Sequence, residues 1–506
     1  MSRKIVKAKA VICRIDRAGR PVIVENAFIA IENGTIVEIG QYQNLGNKYA
    51  GWDEIGSFSH VVCPGFVNAH HHVGLTPLQL GAPDLPLELW TIRRICCRQV
   101  DLYLDTLYSA FEMIESGVTT VQHLHGRVPR PIDNVLKAAD NVLAAYRDIG
   151  MRASYSFGVR DQNRLVYGSD EAFLKSLPLG VSQLAKSYVD KQTFGLDESL
   201  EIFEALYSRF RDQKRIAIQL APLNLQWCSD RAIRKTTELA RKRNVPMHMH
   251  LLETPVQLEY ARRRTGTSAV KHLHRLGVLG ADLTLGHGVW LSEDDIDLIA
   301  ETGTCLCHNC SSNLRLRSGT APLNAFRQRG VPVAIGIDEA GINDDHDMLQ
   351  EMRLVLRMHR TPGFSPDDVP SCPEVLRMAT EYGAATTPYR QTIGVLEAGK
   401  AADLVLFRWD KISFPYLSPD TGLVDALIQR AKPGSVETVI VDGEIIYSEG
   451  KFERVNKEEM LAELARKMAR ELSENEQFAR KVGFKLLPEA ASFYNRFPRM
   501  SAETSL

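Results

Sequence analysis

The chain has 506 residues, with 61 Lys and Arg against 62 Asp and Glu and a formal charge of -1. That length exceeds one ordinary core, so a large catalytic-sized domain and at least one smaller one are expected. Near-neutral charge without blocks of like sign argues against a nucleic-acid or anionic-membrane surface and leaves a small molecule as the expected partner. No apolar run approaches bilayer-spanning length, and the opening "MSRKIVKAKAVICRID" has no apolar signal region, so a cytoplasmic protein with no membrane partner is expected.

Residues 4–58 alternate short apolar runs with turn signals, as in "KAKAVICRID" and "VIVENAFIAIENGTIVEIG", and predict β-hairpins. Between about 60 and 385, eight strand-like runs follow: "HVVCPGFVNAH", "GVTTVQHLHG", "RASYSFGV", "RIAIQLAPLNL", "VPMHMHLLE", "DLTLGHGVWL", "GTCLCHNCSSN" and "VPVAIGIDEAG". The stretches between them, such as "PIDNVLKAADNVLAAYRDIG" and "DRAIRKTTELARKRN", carry apolar residues at helical spacing and close on Gly or Asn. Eight βα units is the number that closes a (β/α)8 TIM-type barrel, an α/β fold. Hairpin texture returns from Lys400 to Phe452 with an Asp442-Gly443 turn. A small composite β-sandwich domain from 1–59 and 390–452 is therefore expected beside a barrel of 60–389. Residues 453–506 read as a C-terminal helical extension, with Met460, Leu461, Leu464, Met468 and Leu472 on one helical face. Such a face suits packing on the barrel or against a second copy, and a homodimer or higher homo-oligomer is expected.

Nine of the fourteen histidines fall at the carboxyl ends of the predicted barrel strands: His70, His71, His72, His123, His125, His248, His250, His287 and His308. That end of a barrel carries its active site. Side chains alternate along a strand, so His70 and His72 share a face and His71 points away. Their Cα atoms, roughly 7 Å apart, let two imidazoles reach one ion. A lone H-x-H also occurs as ordinary polar residues at a barrel rim, so depth decides among the other pairs. In "VPMHMHLLET", His250 lies nearer the open mouth than His248 and is the better ligand. Glu253 reaches the same face where the strand ends and bends near Leu252; there a carboxylic acid suits proton transfer between an activated water and a leaving group. Asp338 closes an otherwise apolar strand, where an ionised carboxylate needs a cation or strong hydrogen bonds.

The nine cysteines sit mostly in apolar runs, which suits reduced thiols better than disulfides. Cys305, Cys307 and Cys310 with His308 invite a metal-cluster or redox reading, a different class of protein. Their spacing is not that of a paired C-x-x-C ribbon, and thiols among apolar neighbours behave as small hydrophobes.

The stretches "PGFVNAHHHVGLTPLQLGAPDLPLELW", "ESGVTTVQ", "HMHLLET", "LGHGVWLSEDDI", "HNCSSNLRLRSGTAPL", "GIDEAGINDDHDMLQEMR" and "TIGVLEAGKAADLVLF" resemble the amidohydrolase superfamily. Within it they resemble the branch of cytosine, guanine and adenosylhomocysteine deaminases and triazine hydrolases. The resemblance runs from about 1 to 450 and implies one divalent metal held by His70, His72, His250 and Asp338. It implies Glu253 as general acid/base, His287 as the residue that orients the attacking water, and Asp338 as a further proton acceptor. Members with two metals carry a lysine at the end of strand four; "IAIQLAPLNLQ" has none, which favours one ion.

Three positions depart from the family pattern. Leu223 stands where a ring-contacting histidine is usual, with Asn224 and Gln226 as polar substitutes, and Glu339 and Ile342 replace a common Gly and Ser. Gln79, Trp90, His125, Arg160, Gln162, Asn224 and Gln226 are candidate substrate contacts. The expected chemistry is attack of metal-activated water on an electron-poor carbon of an N-heterocycle, with release of ammonia. Chloride, an alkylamine or a sulfur species is the alternative leaving group. Zn2+ suits three histidines and an aspartate, and Fe2+ or Mn2+ suits the same ligand types.

Overall fold

The computed structural model describes residues 2–72 and 74–497. The chain opens with β1 (Arg3–Ile15), β2 (Pro21–Glu32), β3 (Thr35–Gln41) and β4 (Asp53–Pro64). There follow β5 (Phe66–His71), β6 (Val118–His125), β7 (Arg152–Val159), β8 (Ile216–Ile218), β9 (Ala221–Pro222), β10 (Met247–Leu251), β11 (Leu283–His287), β12 (Cys305–His308) and β13 (Val333–Ile335). The last strands are β14 (Leu404–Arg408), β15 (Val436–Val441), β16 (Glu444–Ser448) and β17 (Lys451–Phe452).

Strands from both chain ends build one eight-stranded sheet in the order β17-β16-β15-β14-β4-β1-β2-β3. Its hairpins turn where the sequence requires positive φ: Asn33 and Gly34 at 51° and 85°, Asp442 and Gly443 at 53° and 74°. The two turns touch, since a Cβ on Gly443 would fall 2.6 Å from the Cα of Gly34. Where a sandwich was expected, the strands share one hydrogen-bonded ladder. Leu404 to Arg408 pair antiparallel with Pro64 to His60, so the chain ends extend a common ladder and form one continuous sheet.

The first strand-like run is also two elements, because Gly65 separates β4 in this sheet from β5 in the barrel. A side chain there would meet Thr119 at 2.2 Å. β5 to β8 and β10 to β13 form two parallel series. Strand four is interrupted between β8 and β9, yet His248 N–H donates to Leu220 O at 3.0 Å and His250 N–H to Leu223 O at 2.9 Å. At the other seam Asp338 N–H donates to His70 O at 2.8 Å. These bonds join the series into a TIM-type barrel. They also bring the ends of β5, β10 and the segment after β13 to one mouth.

Helices cover the barrel as the spacing predicts. Ile132–Ile149 ends on Gly150 at φ 88° and Asp230–Arg243 on Asn244 at φ 52°. A buried bidentate pair, Arg152 to Asp403 at 2.8 and 2.9 Å, ties β7 to the residue before β14.

The C-terminal stretch is two helices, Lys457–Met468 and Glu474–Tyr494, where one continuous face was expected. Ser473 caps the second, accepting from Glu476 N–H at 3.3 Å while the Glu476 carboxylate accepts from Ser473 N–H at 2.7 Å. This capping box ends the first helical face before Leu472. Residues 498–506 of the expected extension lie outside the described residues. Among those described, no helix is long and apolar enough to cross a membrane.

Candidate metal centre and substrate pocket

His70 and His72, alternate residues at the end of β5, and His250 at the end of β10 meet at the barrel mouth. The Nε2 atoms of His70 and His72 are 3.0 Å apart, and those of His72 and His250 are 3.2 Å apart. Asp338 Oδ1 lies 3.3 Å from His72 Nε2 and 3.6 Å from His70 Nε2. The opposite ring nitrogens are committed. His72 Nδ1–H donates to Leu124 O at 2.6 Å, and His250 Nδ1–H to Leu223 O at 2.8 Å. His70 Nδ1 pairs with His248 Nε2 at 2.8 Å, so His248 orients a ring without joining the cluster. Burial first, then neighbouring imidazoles, holds His70 and His250 well below the ordinary histidine range and keeps them neutral. Neutral rings with free Nε2 lone pairs, beside a carboxylate, fit a divalent ion of the zinc type. His71 points elsewhere, its Nε2 3.2 Å from Ser109 Oγ.

Glu253 arrives by the bend expected at Leu252, whose φ is 50°. His287 and Asp338 are also left-handed, at 73° and 66°. Such backbone costs about 1–3 kcal/mol per residue and concentrates at functional sites. Here it turns strand-end side chains onto one point. His287 Nδ1–H donates to Asn313 Oδ1 at 2.9 Å, leaving Nε2 3.6 Å from Glu253 Oε2 and 3.8 Å from Asp338 Oδ2. Ser312 Oγ–H donates to Asp338 Oδ2 at 2.7 Å. Burial, then the nearby Asp338 and Glu88 carboxylates, pushes the Glu253 carboxyl well above its usual range. A carboxyl held above its usual range suits proton transfer.

A family model for the amidohydrolase family matches residues 61–446. The chain belongs to the amidohydrolase family. This amidohydrolase acts on carbon–nitrogen bonds other than peptide bonds. It is 31% identical over 450 residues to a 5-methylthioadenosine/S-adenosylhomocysteine deaminase of Pyrococcus furiosus, covering 88% of this chain and 96% of the relative. It is 30% identical over 455 residues to a 5'-deoxyadenosine deaminase of Methanothermobacter thermautotrophicus, covering 89% and 96%. In fold it is similar to an adenosine deaminase of Xanthomonas campestris with bound zinc, at TM-score 0.76, 24% identity and coverage of 92% and 97%. A triazine hydrolase from Arthrobacter aurescens is similar in fold at TM-score 0.79, 20% identity and coverage of 93% and 100%.

The amidohydrolase site opens into a cavity of about 680 Å3 that His72, His250, Glu253, His287 and Asp338 line. Of the candidate substrate contacts, Trp90, His125, Arg160 and Asn224 line it. His125 bonds the Tyr155 hydroxyl at 2.7 Å and is pulled down to about 4 by burial, with His72 adding to the effect. Arg160 stacks 4.3 Å over Trp227. Gln79, Gln162 and Gln226 do not line the cavity. The Gln79 amide serves Thr76 N–H and Tyr108, and the Gln162 amide donates to the carbonyls of Gln226 and Cys228. Polar loop residues there brace the loop itself. The altered rim residue Glu339 pairs with Arg94, and Leu223 lines the cavity as an apolar surface.

Tyr167, Trp227 and Tyr494, which no motif or spacing singled out, also line the cavity. It did contain Ser312 and Asn313, inside the "HNCSSN" run that the cysteines made conspicuous. The nine cysteines are all free. Cys310 comes near His308 and His359, with ligand atoms within 4.8 Å of one another, while Cys305 and Cys307 stay outside that group.

Proposed function

We propose that this chain hydrolytically deaminates an amino-substituted N-heterocycle of the adenosine-derived type, using one divalent ion, zinc by preference, held by His70, His72, His250 and Asp338. The observation that carries the reading is the convergence of three free Nε2 atoms and one carboxylate beside the buried Glu253 carboxyl, in the lining of one cavity. A divalent ion held by this set would supply an acidified water, with pKa near 7. Glu253 carries a proton from the attacking water to the departing nitrogen. His287 Nε2, between Glu253 and Asp338, orients the attack and stabilises the negative charge that develops on the ring. Asp338 accepts a proton through Oδ2, the oxygen turned away from His70 and His72, where Ser312 steadies it. The carbon–oxygen bond forms as the carbon–nitrogen bond breaks, and ammonia leaves.

Relatives named for 5-methylthioadenosine, S-adenosylhomocysteine and 5'-deoxyadenosine support adenosine-derived substrates. Trp90, His125, Arg160 and Asn224 are the proposed contacts. We further propose the division into a composite β-domain (1–59 and 390–452), a barrel (60–389) and a C-terminal extension (453–506), with homo-oligomeric assembly. The free thiols support a reducing, cytoplasmic setting.

A second reading is favoured by Leu223 alone: an apolar cavity surface where a ring-contacting histidine is usual suits expulsion of chloride from a halogenated triazine. The test is a panel of adenosine, 5'-deoxyadenosine, 5-methylthioadenosine, S-adenosylhomocysteine, guanine and atrazine, read by ammonia and chloride release. Ammonia from the adenosine set supports the first reading. Chloride alone supports the second, and neither product from zinc-loaded protein refutes both.

A further inference from the structure

The helix Glu474–Tyr494 lies beyond the family match, which ends at residue 446, yet it forms part of the cavity. Phe478 and Tyr494 of this helix line the same space as Glu253 and His287. A cavity of about 680 Å3 falls within the range that encloses drug-sized ligands, and it exceeds what a bare heterocycle fills.

Three anchors fix the helix there. At its start the Glu476 carboxylate, buried at 1% exposure, accepts from Gln99 N–H at 2.9 Å and from Arg470 at 2.6 and 2.7 Å. In its middle Gly483 lies so close to Cys96 that a Cβ would fall 2.4 Å from Sγ. At its end the Tyr494 hydroxyl accepts from Tyr167 N–H at 3.1 Å, and the two rings meet edge to face with centroids 5.5 Å apart. Between the anchors, Val482, Leu486 and Ala490 form an apolar stripe packed with Ile92, Leu165 and Phe173. The gripped segments are those that present Trp90, Arg94 and Tyr167 to the cavity. Tyr167 in turn meets Trp227 with centroids 6.3 Å apart, so an aromatic wall runs from Tyr494 through Tyr167 to Trp227.

We propose that the C-terminal helix is a substituent-binding wall, through which Tyr494 and Phe478 contact a bulky, largely apolar group carried by the heterocycle outside its reacting carbon. This rests on the deaminase reading for the identity of the ring. Aromatic side chains give large contact area at low entropic cost, which suits them to read such a group. The barrel supplies the chemistry, and the helix selects what the ring carries.

The test uses full-length, zinc-loaded protein and two probes, 5-methylthioadenosine and adenine, titrated by calorimetry and followed for ammonia release. The intact chain should bind 5-methylthioadenosine at least about tenfold more tightly than adenine. Tyr494→Ala and Phe478→Ala should each cut that preference by about tenfold, raising KM for 5-methylthioadenosine while kcat and zinc content stay close to those of the intact chain; Tyr494→Ala, which also removes an anchor, should lower the melting temperature yet remain folded under assay conditions. Gly483→Val, which wedges the helix off Cys96 without altering a cavity side chain, should act in the same direction. Lys485→Ala, exposed on the same helix, should change nothing. An unchanged preference in folded Tyr494→Ala and Phe478→Ala overturns the proposal, as does equal binding of the two probes by the intact chain. Selective binding without ammonia release leaves the wall standing and removes the deaminase reading instead.

Discussion

Two histidine clusters lie in this barrel, and at the level of ligand spacing they look alike. His70, His72 and His250 bring Nε2 atoms within 3.0 to 3.2 Å, and His308 Nε2 lies 2.9 Å from His359 Nε2 with Cys310 beside them. The difference is in everything around the rings. In the first cluster backbone carbonyls and His248 hold the outer nitrogens, a carboxylate adds charge, and the cavity gives access. In the second, His308 Nδ1 has no partner among the described residues, burial pushes the Cys310 thiol far up, and burial, with Arg327 adding to it, pulls His359 down to about 4. Neither His308, Cys310 nor His359 lines the cavity. A close pair of imidazoles there is satisfied as one hydrogen bond. Close donors make a metal site when their tautomers are fixed, a negative charge is added and a path is open.

That contrast breaks most visibly at the ligands. His70→Ala, His72→Ala, His250→Ala and Asp338→Ala should each lose bound metal and all turnover, while His71→Ala should keep its metal; elemental analysis of purified variants checks this. A metal-free His71→Ala beside a loaded His70→Ala would reverse the assigned strand register. Next in size, Glu253→Gln should retain the ion and lose about 10²–10⁴-fold in kcat, because an amide cannot pass a proton to the leaving amine. Near-native release of ammonia by that variant would remove Glu253 from the chemistry. His248→Ala leaves every ligand in place but frees the His70 ring, so competition with a chelator should show metal affinity reduced by about 10–100-fold. The smallest effect belongs to the second cluster. Cys310→Ser should cost about 1–3 kcal/mol in denaturant unfolding, from a more polar hydroxyl placed at a buried site, with metal content unchanged. Stoichiometric metal lost from the folded variant would mean that sulfur is a ligand after all.

Much of the barrel and its centre was legible because both follow from local rules. Alternation put His70 and His72 together, strand depth separated His250 from His248, and the need for a bend placed Glu253 beyond Leu252. The Gly65 break and the capping box at Ser473 were equally local, but each sat inside a run whose apolar pattern looked continuous. Gln162 illustrates a different limit. A polar side chain at a barrel rim can face substrate or satisfy a backbone carbonyl, and only the loop path decides. Tyr494 and His359 show the limit of sequence distance: Tyr494 joins Tyr167 across 327 positions and His359 joins His308 across 51, through packing that no spacing announces.

Crystals of the zinc-loaded full-length protein, recorded on both sides of the zinc absorption edge, would locate the ion itself. The account predicts one strong anomalous peak per chain, within about 2.0–2.2 Å of Nε2 of His70, His72 and His250 and of an oxygen of Asp338. A dominant peak among His308, Cys310 and His359, or a second strong peak beside the first, would contradict a single metal centre at the barrel mouth.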